Sequence, residues 1–312
     1  MSDETLLGPG REFDLVRIMM SRWGDRARGI GDDATVLDVP PGERVVMSTD
    51  TSLEDVHFRR EWLSAEEIGW RATAAALSDL AAMAARPLGV LLALTLPRPW
   101  IEDLGALAEG VAAAASAVDA PIVGGDLTNG ERLAVTVTVV GSASTPLRRT
   151  GARPGDTLWI TGQLGGPALA IAAWSQGRQP TPEARARFAH PLPRIREAQW
   201  LAAAGASAAI DISDGLGGDA GHLAAASGVR VAIDADALPR MAEADVSTAQ
   251  RSGEEYELLV ATSSSFDAAA FQKEFGLSLT QIGTVETGEP GVDLLINGER
   301  VASPVGYDHF SQ

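Results

Sequence analysis

Aspartate recurs in this chain where surface aspartates seldom sit. Gly29-Ile30-Gly31-Asp32-Asp33-Ala34 sets two adjacent carboxylates behind two glycines. Asp50 closes Ser48-Thr49-Asp50 at the end of an apolar stretch, and Asp126 closes Ile122-Val123-Gly124-Gly125-Asp126. Asp79 falls between Leu77 and Leu80 in an Ala-rich helical pattern, and Asp211 and Asp214 sit in Ile210-Asp211-Ile212-Ser213-Asp214-Gly215. Any one of these has an ordinary explanation as a turn residue or a helix cap. A carboxylate in the middle of an apolar helix face is harder to explain, because burying it without a partner is costly. Carboxylates crowded together and short of cations must take protons or bind metal, since neighbouring like charges cannot all ionise.

Cations are scarce. Lys plus Arg number 25 against 42 Asp plus Glu, for a formal net charge of -17. Lys273 is the only lysine, and it lies in an ordinary amphipathic helix pattern. Metal is the economical answer. Asp33, Ser48, Thr49, Asp50, Asp79 and Asp126 offer hard oxygen donors, there is no cysteine, and none of the four histidines is paired at a zinc spacing. That donor set selects Mg²⁺, which completes its shell with phosphate oxygens and water and so points to a nucleotide. The chain lacks a GxxxxGKS or GxxxxGKT loop and a GxGxxG turn between strand and helix. Gly162-Gln163-Leu164-Gly165-Gly166 could cradle an anion at a helix start, although a plain strand–turn–helix is the simpler expectation.

An acidic chain repels nucleic-acid backbones and anionic lipid, so neither is an expected partner. The acidic opening MSDETLLGPGREFDL lacks the features of a signal peptide, and the longest apolar run lies within Leu88–Leu96, about half of a membrane span. A cytoplasmic protein is expected. With 312 residues and 45% hydrophobic content the chain suits one large or two ordinary domains.

The elements that must hold the aspartates follow from periodicity. The first half gives a strand at Arg44–Ser48 and a helix at Glu66–Ala85 that starts at a Ser64/Glu67 capping box. A strand at Leu88–Leu96, a helix at Ile101–Val118 and an alternating strand at Leu133–Val140 follow. This half reads α+β. The Gly/Pro/Arg turn Arg148–Asp156 marks a boundary, giving domains 1–147 and 148–312. The second half reads α/β, with strands at Thr157–Thr161, Ala208–Ile212, Arg230–Ile233 and near Glu257–Ala261 and Leu279–Ile282. Its helices fall near Pro167–Gln176, Ile195–Ala204, Leu216–Ala226 and Phe266–Phe275, with a Pro-rich linker running through Pro193.

Taken together, GIGDDA at Gly29–Ala34, STDT at Ser48–Thr51 with Val56-His57-Phe58, and LSDLAAM at Leu77–Met83 carry a family resemblance. VGGD at Val123–Asp126, RRTGARPGD at Arg148–Asp156, DISDGL at Asp211–Leu216, GEEYELL at Gly253–Leu259 and GYDHF at Gly306–Phe310 continue it in order. The set resembles the thiamine-monophosphate kinases of the aminoimidazole-ribonucleotide synthetase-like superfamily. The resemblance implies an α+β N-terminal domain that binds ATP and Mg²⁺ and pairs with its twin in a homodimer, and an α/β C-terminal domain that completes the site. It implies a metal shell of Asp33, Ser48, Thr49, Asp50, Asp79, Asp126, Asp211 and Asp214 for several Mg²⁺ ions. Gly125, Asp126, Arg149 and Ser213 would touch ATP, and His57 and Glu254 would face thiamine monophosphate. Two departures from the family pattern stand out: Ser252-Gly253-Glu254-Glu255-Tyr256-Glu257 stands where GGEDYE is usual, so that one Gly and one Asp differ, and Pro304 stands at a substrate-contact position where an aromatic is usual.

The implied reaction is direct in-line phosphoryl transfer without a covalent protein nucleophile. A phosphate monoester has a second pKa of about 6 and is already largely dianionic at neutral pH, so it needs no general base. The task is electrostatic, met by Mg²⁺ and by an arginine such as Arg149. The alternatives are another ATP-dependent enzyme of the aminoimidazole-ribonucleotide synthetase type and a non-catalytic nucleotide-binding regulator.

Overall fold

The computed structural model describes residues 9–263 and 265–302. Pro304 and the GYDHF motif lie outside the described residues. The chain divides into two compact units between Thr145 and Pro146, with Ala81–Ala84 grouped with the second. Among the described residues no helix is long and apolar enough to cross a membrane.

Four strands form the sheet of the first unit: β1 (Arg44–Leu53), β2 (Arg86–Thr95), β3 (Ile122–Thr128) and β4 (Ala134–Ala143), in the order β1-β4-β2-β3. β4 runs antiparallel to β1 and β2, while β3 lies parallel to β2. The alternation expected of β4 is met: Val135, Val137 and Val139 are fully buried on one face. Thr136 and Thr138 occupy the other, hydroxyl-bonded to Thr51 and Thr49 at 2.9 Å. On that second face Val45 and Met47 of β1 are 51% and 63% exposed.

Three helices complete this unit: α1 (Arg11–Trp23), which periodicity does not reveal, α2 (Ala65–Ala82) and α3 (Leu104–Ser116). The capping box opens α2, with Ser64 N–H donating to Glu67 Oε2 at 2.8 Å and Glu67 N–H to Ser64 Oγ at 3.3 Å. α2 and α3 meet backbone to backbone at two glycines. A methyl group on Gly69 would lie 2.2 Å from the Leu107 carbonyl oxygen, and one on Gly110 would lie 1.8 Å from that of Glu66.

The second unit carries a seven-stranded sheet of order β11-β10-β7-β9-β5-β8-β6. Its strands are β5 (Thr157–Thr161), β6 (Ala206–Asp211), β7 (Arg230–Asp234), β8 (Leu258–Thr262), β9 (Leu279–Glu286), β10 (Gly291–Ile296) and β11 (Glu299–Ala302). Every pair is antiparallel except β7 with β10. Around it lie α4 (Gly166–Ser175), α5 (Pro182–Ala189), α6 (Ile195–Ala203), α7 (Leu216–Ser227), α8 (Val246–Arg251) and α9 (Ala268–Phe275). Leu158, Ile160, Ile210, Leu223, Val231 and Leu259 belong to its buried core. The Pro-rich linker is in fact interrupted by α5. Thr181 caps that helix on Ala184 N–H, and Pro182 fits its first turn, where no amide partner is needed.

Candidate active site

Ser48, Thr49 and Asp50 lie inside β1, not at its end as the polar cluster suggests. β-branched Thr49 and Thr51 pair with Thr138 and Thr136 and carry the strand on to Leu53. Alternation then separates the three residues. Thr49 bonds Thr138 on the open face, while Ser48 and Asp50 point to the other side with Val139 and Val137. There Ser48 Oγ donates to Asp79 Oδ2 of α2 at 2.5 Å, which gives the mid-helix carboxylate its place. Asp50 is half-buried, and its Oδ1 accepts the Thr51 N–H at 2.8 Å.

The other two candidate aspartates of this unit, Asp126 and Asp33, do not join that group. Asp126 lies within β3 opposite Ala93, and Gly124-Gly125 before it form no turn but are part of the extended strand. β4 and β2 intervene between β1 and β3, so Asp50 and Asp126 stand about 14 Å apart at ~4.8 Å per strand. Gly125 has a packing reason to be glycine: an added methyl group would lie 1.9 Å from the Leu92 carbonyl oxygen. Asp33 is exposed, and its N–H donates to Asp32 Oδ1 at 2.9 Å.

Among the described residues no three acidic or histidine side chains converge to hold a metal by themselves. Ser48, Asp50 and Asp79 nonetheless fit Mg²⁺. They are hard oxygen donors on one face, and this ion is commonly held by one or two carboxylates with phosphate oxygens and water filling the rest of its shell.

Beyond β1 the chain turns sharply, with Asp55 at φ 67°. Half-buried His57 is held there as its Nδ1 accepts the Leu53 N–H at 3.1 Å.

In the second unit Asp211 ends β6 and is buried, and Ser213 and Asp214 follow, half-buried. Sequence reasoning missed Asp219, which is buried in the first turn of α7. Its Oδ2 accepts the N–H groups of Ser213 and Asp214, both at 3.0 Å, and so shapes the loop that carries them. An acidic residue in a helix's first turn is the signal that could have revealed it. Burial, followed by the charge of Asp211, pushes the Asp219 carboxyl up to about 8 against the pull of those N–H groups.

The folded metal-free protein therefore keeps a proton that the unfolded chain releases above an ordinary value of about 3.9. Its stability should fall as pH rises from about 4 to about 8 and level off above that. Melting curves across this range check it: Asp219→Asn, which retains an acceptor oxygen, should flatten the slope, and an unchanged slope would refute the assignment.

Glu254 has φ 59° and Tyr256 φ 53°, both in the left-handed region. Glu254 N–H donates to Ser213 O at 2.7 Å and Tyr256 N–H to Ile212 O at 2.9 Å, so this segment lies along the Asp211–Asp214 loop. The glutamates on either side of Tyr256 turn inward. Glu257 takes Arg194 through Nε at 2.9 Å and Nη2 at 2.6 Å, Arg187 Nη1 at 2.8 Å and the Thr161 hydroxyl at 2.6 Å. Glu255 accepts the Gly165 N–H at 2.5 Å and pairs with Arg187 at 3.2 Å. Burial raises the Glu255 carboxyl to about 7. Burial also acts on Glu257, but Arg194 and Arg187 prevail and hold it below the ordinary range.

The Gly162–Gly166 turn is thus a plain strand–turn–helix whose Gly165 N–H already serves an internal carboxylate. Sequence reasoning missed this network because its members lie far apart along the chain. The surviving signal is three glutamates within five residues ahead of an apolar strand. Arg149 is exposed, and its carbonyl accepts the Ser227 hydroxyl at 2.7 Å.

Residues 31–143 match the N-terminal domain model of AIR synthase related proteins, and residues 153–294 match the C-terminal one. The thiamine-monophosphate kinase of Salmonella typhimurium strain LT2 is 36% identical, over 96% of this chain and 98% of that protein. The crystal structure of thiamine-monophosphate kinase from Stenotrophomonas maltophilia K279a superposes with TM-score 0.82 at 36% identity, covering 93% of this chain and 98% of that one. A structure of AaThiL complexed with AMPPCP and TMP superposes with TM-score 0.77 at 29% identity, covering 96% and 97%. On this likeness, which spans both domains, the chain belongs to the thiamine-monophosphate kinase family of AIR synthase related proteins.

Proposed function

We propose that the chain transfers the γ-phosphoryl group of ATP to the phosphate of thiamine monophosphate, giving thiamine diphosphate and ADP. The observation that carries this reading is the 36% identity to a thiamine-monophosphate kinase over nearly the full length of both chains. Within the reading, Asp50 and Asp79 hold Mg²⁺, with the Ser48 hydroxyl orienting the Asp79 carboxylate. Bound Mg²⁺ supplies the positive charge that lets two anionic phosphates approach. Asp33, Thr49, Asp126, Asp211 and Asp214 are assigned to further metal contacts, and Gly125, Arg149 and Ser213 to the nucleotide. The Arg149 guanidinium stays protonated throughout and can meet phosphate charge. A terminal phosphate oxygen of the substrate forms the new P–O bond as the bond to ADP breaks, and its existing charge makes a protein base unnecessary. His57, Glu254 and Pro304 are assigned to thiamine monophosphate.

The deciding measurement is ADP release with thiamine monophosphate, thiamine or formylglycinamidine ribonucleotide as acceptor. Turnover with the first alone is expected, and turnover with the last would reassign the enzyme within its superfamily. The reading includes a homodimer joined through the first unit's sheet, supported by exposed Val45 and Met47 on its open face. A monomer by light scattering at micromolar concentration would overturn that part.

A further inference from the structure

His57 is carried by a short loop that is closed on itself. Asp55 N–H donates to Phe58 O at 2.8 Å, and the Val56 and His57 N–H groups both donate to Leu53 O, at 3.1 and 2.9 Å. The Leu53 N–H returns to His57 Nδ1 at 3.1 Å. An imidazole nitrogen that accepts an N–H carries no proton of its own, so in the neutral ring the proton sits on Nε2. His57 in this state has no second lone pair to act as a base. It presents one N–H donor.

What fixes the loop to the rest of its unit is Glu54. Its backbone N–H donates to Leu133 O at 2.9 Å, and its Oε2 accepts the Leu133 N–H at 3.0 Å. The same carboxylate accepts the indole N–H of Trp100, at 3.2 Å to Oε1 and 3.1 Å to Oε2. Trp100 is 3% exposed and meets Phe58, the loop's last residue, edge to face at 6.5 Å. Arg60 closes the other side of the indole, 4.3 Å from its centroid, and pairs with Asp103 at 2.5 Å. Both ends of the His57 loop are therefore tied to Trp100, one through the Glu54 carboxylate and one through the Phe58 ring.

We infer that Glu54 is a positioning residue that, through Leu133 and Trp100, holds His57 as an Nε2–H donor toward the phosphate of the substrate. This rests on the proposed role of His57. A donor of fixed direction suits a phosphate oxygen, which accepts, and misplacing a positioning group by about 1 Å can cost up to ~100-fold in rate.

The test uses the full chain and three variants: Glu54→Ala, Glu54→Gln and His57→Ala. Two readouts are taken, the KM for thiamine monophosphate and for ATP, and the protonation of each His57 ring nitrogen by long-range ¹H–¹⁵N NMR. In the unaltered protein Nδ1 should be the unprotonated nitrogen. Glu54→Ala should raise the KM for thiamine monophosphate about tenfold, leave that for ATP unchanged, and mix the two His57 tautomers. Glu54→Gln, which keeps acceptor oxygen, should recover most of both properties. If Glu54→Ala does not fold, Trp100→Phe, which removes the indole N–H that Glu54 accepts, takes its place: a KM raised for thiamine monophosphate alone with mixed His57 tautomers supports the inference, and an unchanged tautomer and KM, or equal losses for both substrates, overturn it. An unaltered tautomer and KM in folded Glu54→Ala would also overturn it. If His57→Ala leaves both KM values unchanged, the substrate role of His57 fails, while the tautomer readout still judges Glu54 separately.

Discussion

Glu257→Gln is expected to destabilise the protein by about 3–5 kcal/mol, the scale of removing one partner from a buried ion pair. The carboxylate is fully buried and meets two arginines, Arg194 at 2.6 Å and Arg187 at 2.8 Å. Without its charge the buried Arg194 and the half-buried Arg187 are left with Glu197 and Glu255 to offset them. Arg187 would then lean more heavily on Glu255, so the Glu255 carboxyl should fall from about 7 toward its ordinary range. Chemical unfolding measures the first effect, and a carboxyl titration by NMR the second. Replacing Glu257, Arg187 and Arg194 together by apolar residues of similar volume should recover much of the loss, because no buried charge is then left unpaired. A Glu257→Gln protein as stable as the parent would show that the network contributes nothing net.

Asp79→Asn should reduce phosphoryl transfer at least ~100-fold, the scale of losing one preorganised electrostatic group at a reacting phosphate. The fold should survive, because the asparagine carbonyl can still accept from Ser48 Oγ. Without Mg²⁺ its melting temperature should equal or exceed that of the parent, since a carboxylate charge has been removed on the same side of the sheet as Asp50 while the Ser48 hydrogen bond is kept. If Asp79 is structural instead, the metal-free protein should melt lower and activity should remain. The two readings give opposite signs in one melting experiment.

Much of the architecture was legible because period and burial agree there. β4 alternates from Ala134 to Val139, α2 announces its start with Ser64 and Glu67, and β5 is centred on its apolar run. α1 escaped because only Met19 and Trp23 are buried while Phe13 and Ile18 stay exposed, and α5 because prolines flank its eight residues. The β10–β11 hairpin was overlooked although Asn297-Gly298 between its strands, with φ 52° and 80°, is a two-residue turn of the kind that marks hairpins; only its parallel pairing with β7 is non-local. The aspartates stood out individually, yet their grouping depends on strand register. Register puts Ser48, Asp50 and Asp79 on one side and sends Thr49 to the other, a difference of one residue that composition cannot express. The arginine partners Arg187 and Arg194 were invisible for another reason: nothing local distinguishes an arginine that will be paired 60 or more residues away from one that will stay in water.

The two glycines between α2 and α3 act as a spacer of zero thickness. Gly69 and Asp79 belong to the same helix, ten residues or about 15 Å apart along its axis. A helix moves as a stiff rod, so a methyl group at Gly69 or Gly110, which would press on backbone that cannot yield, would tilt the far end where Asp79 meets Ser48. The depth at which that carboxylate stands is thereby written partly in two residues that have no side chain and touch no phosphate. Tolerance to mutation in this family should accordingly be poor at an uncharged helix contact as well as at the acidic residues themselves.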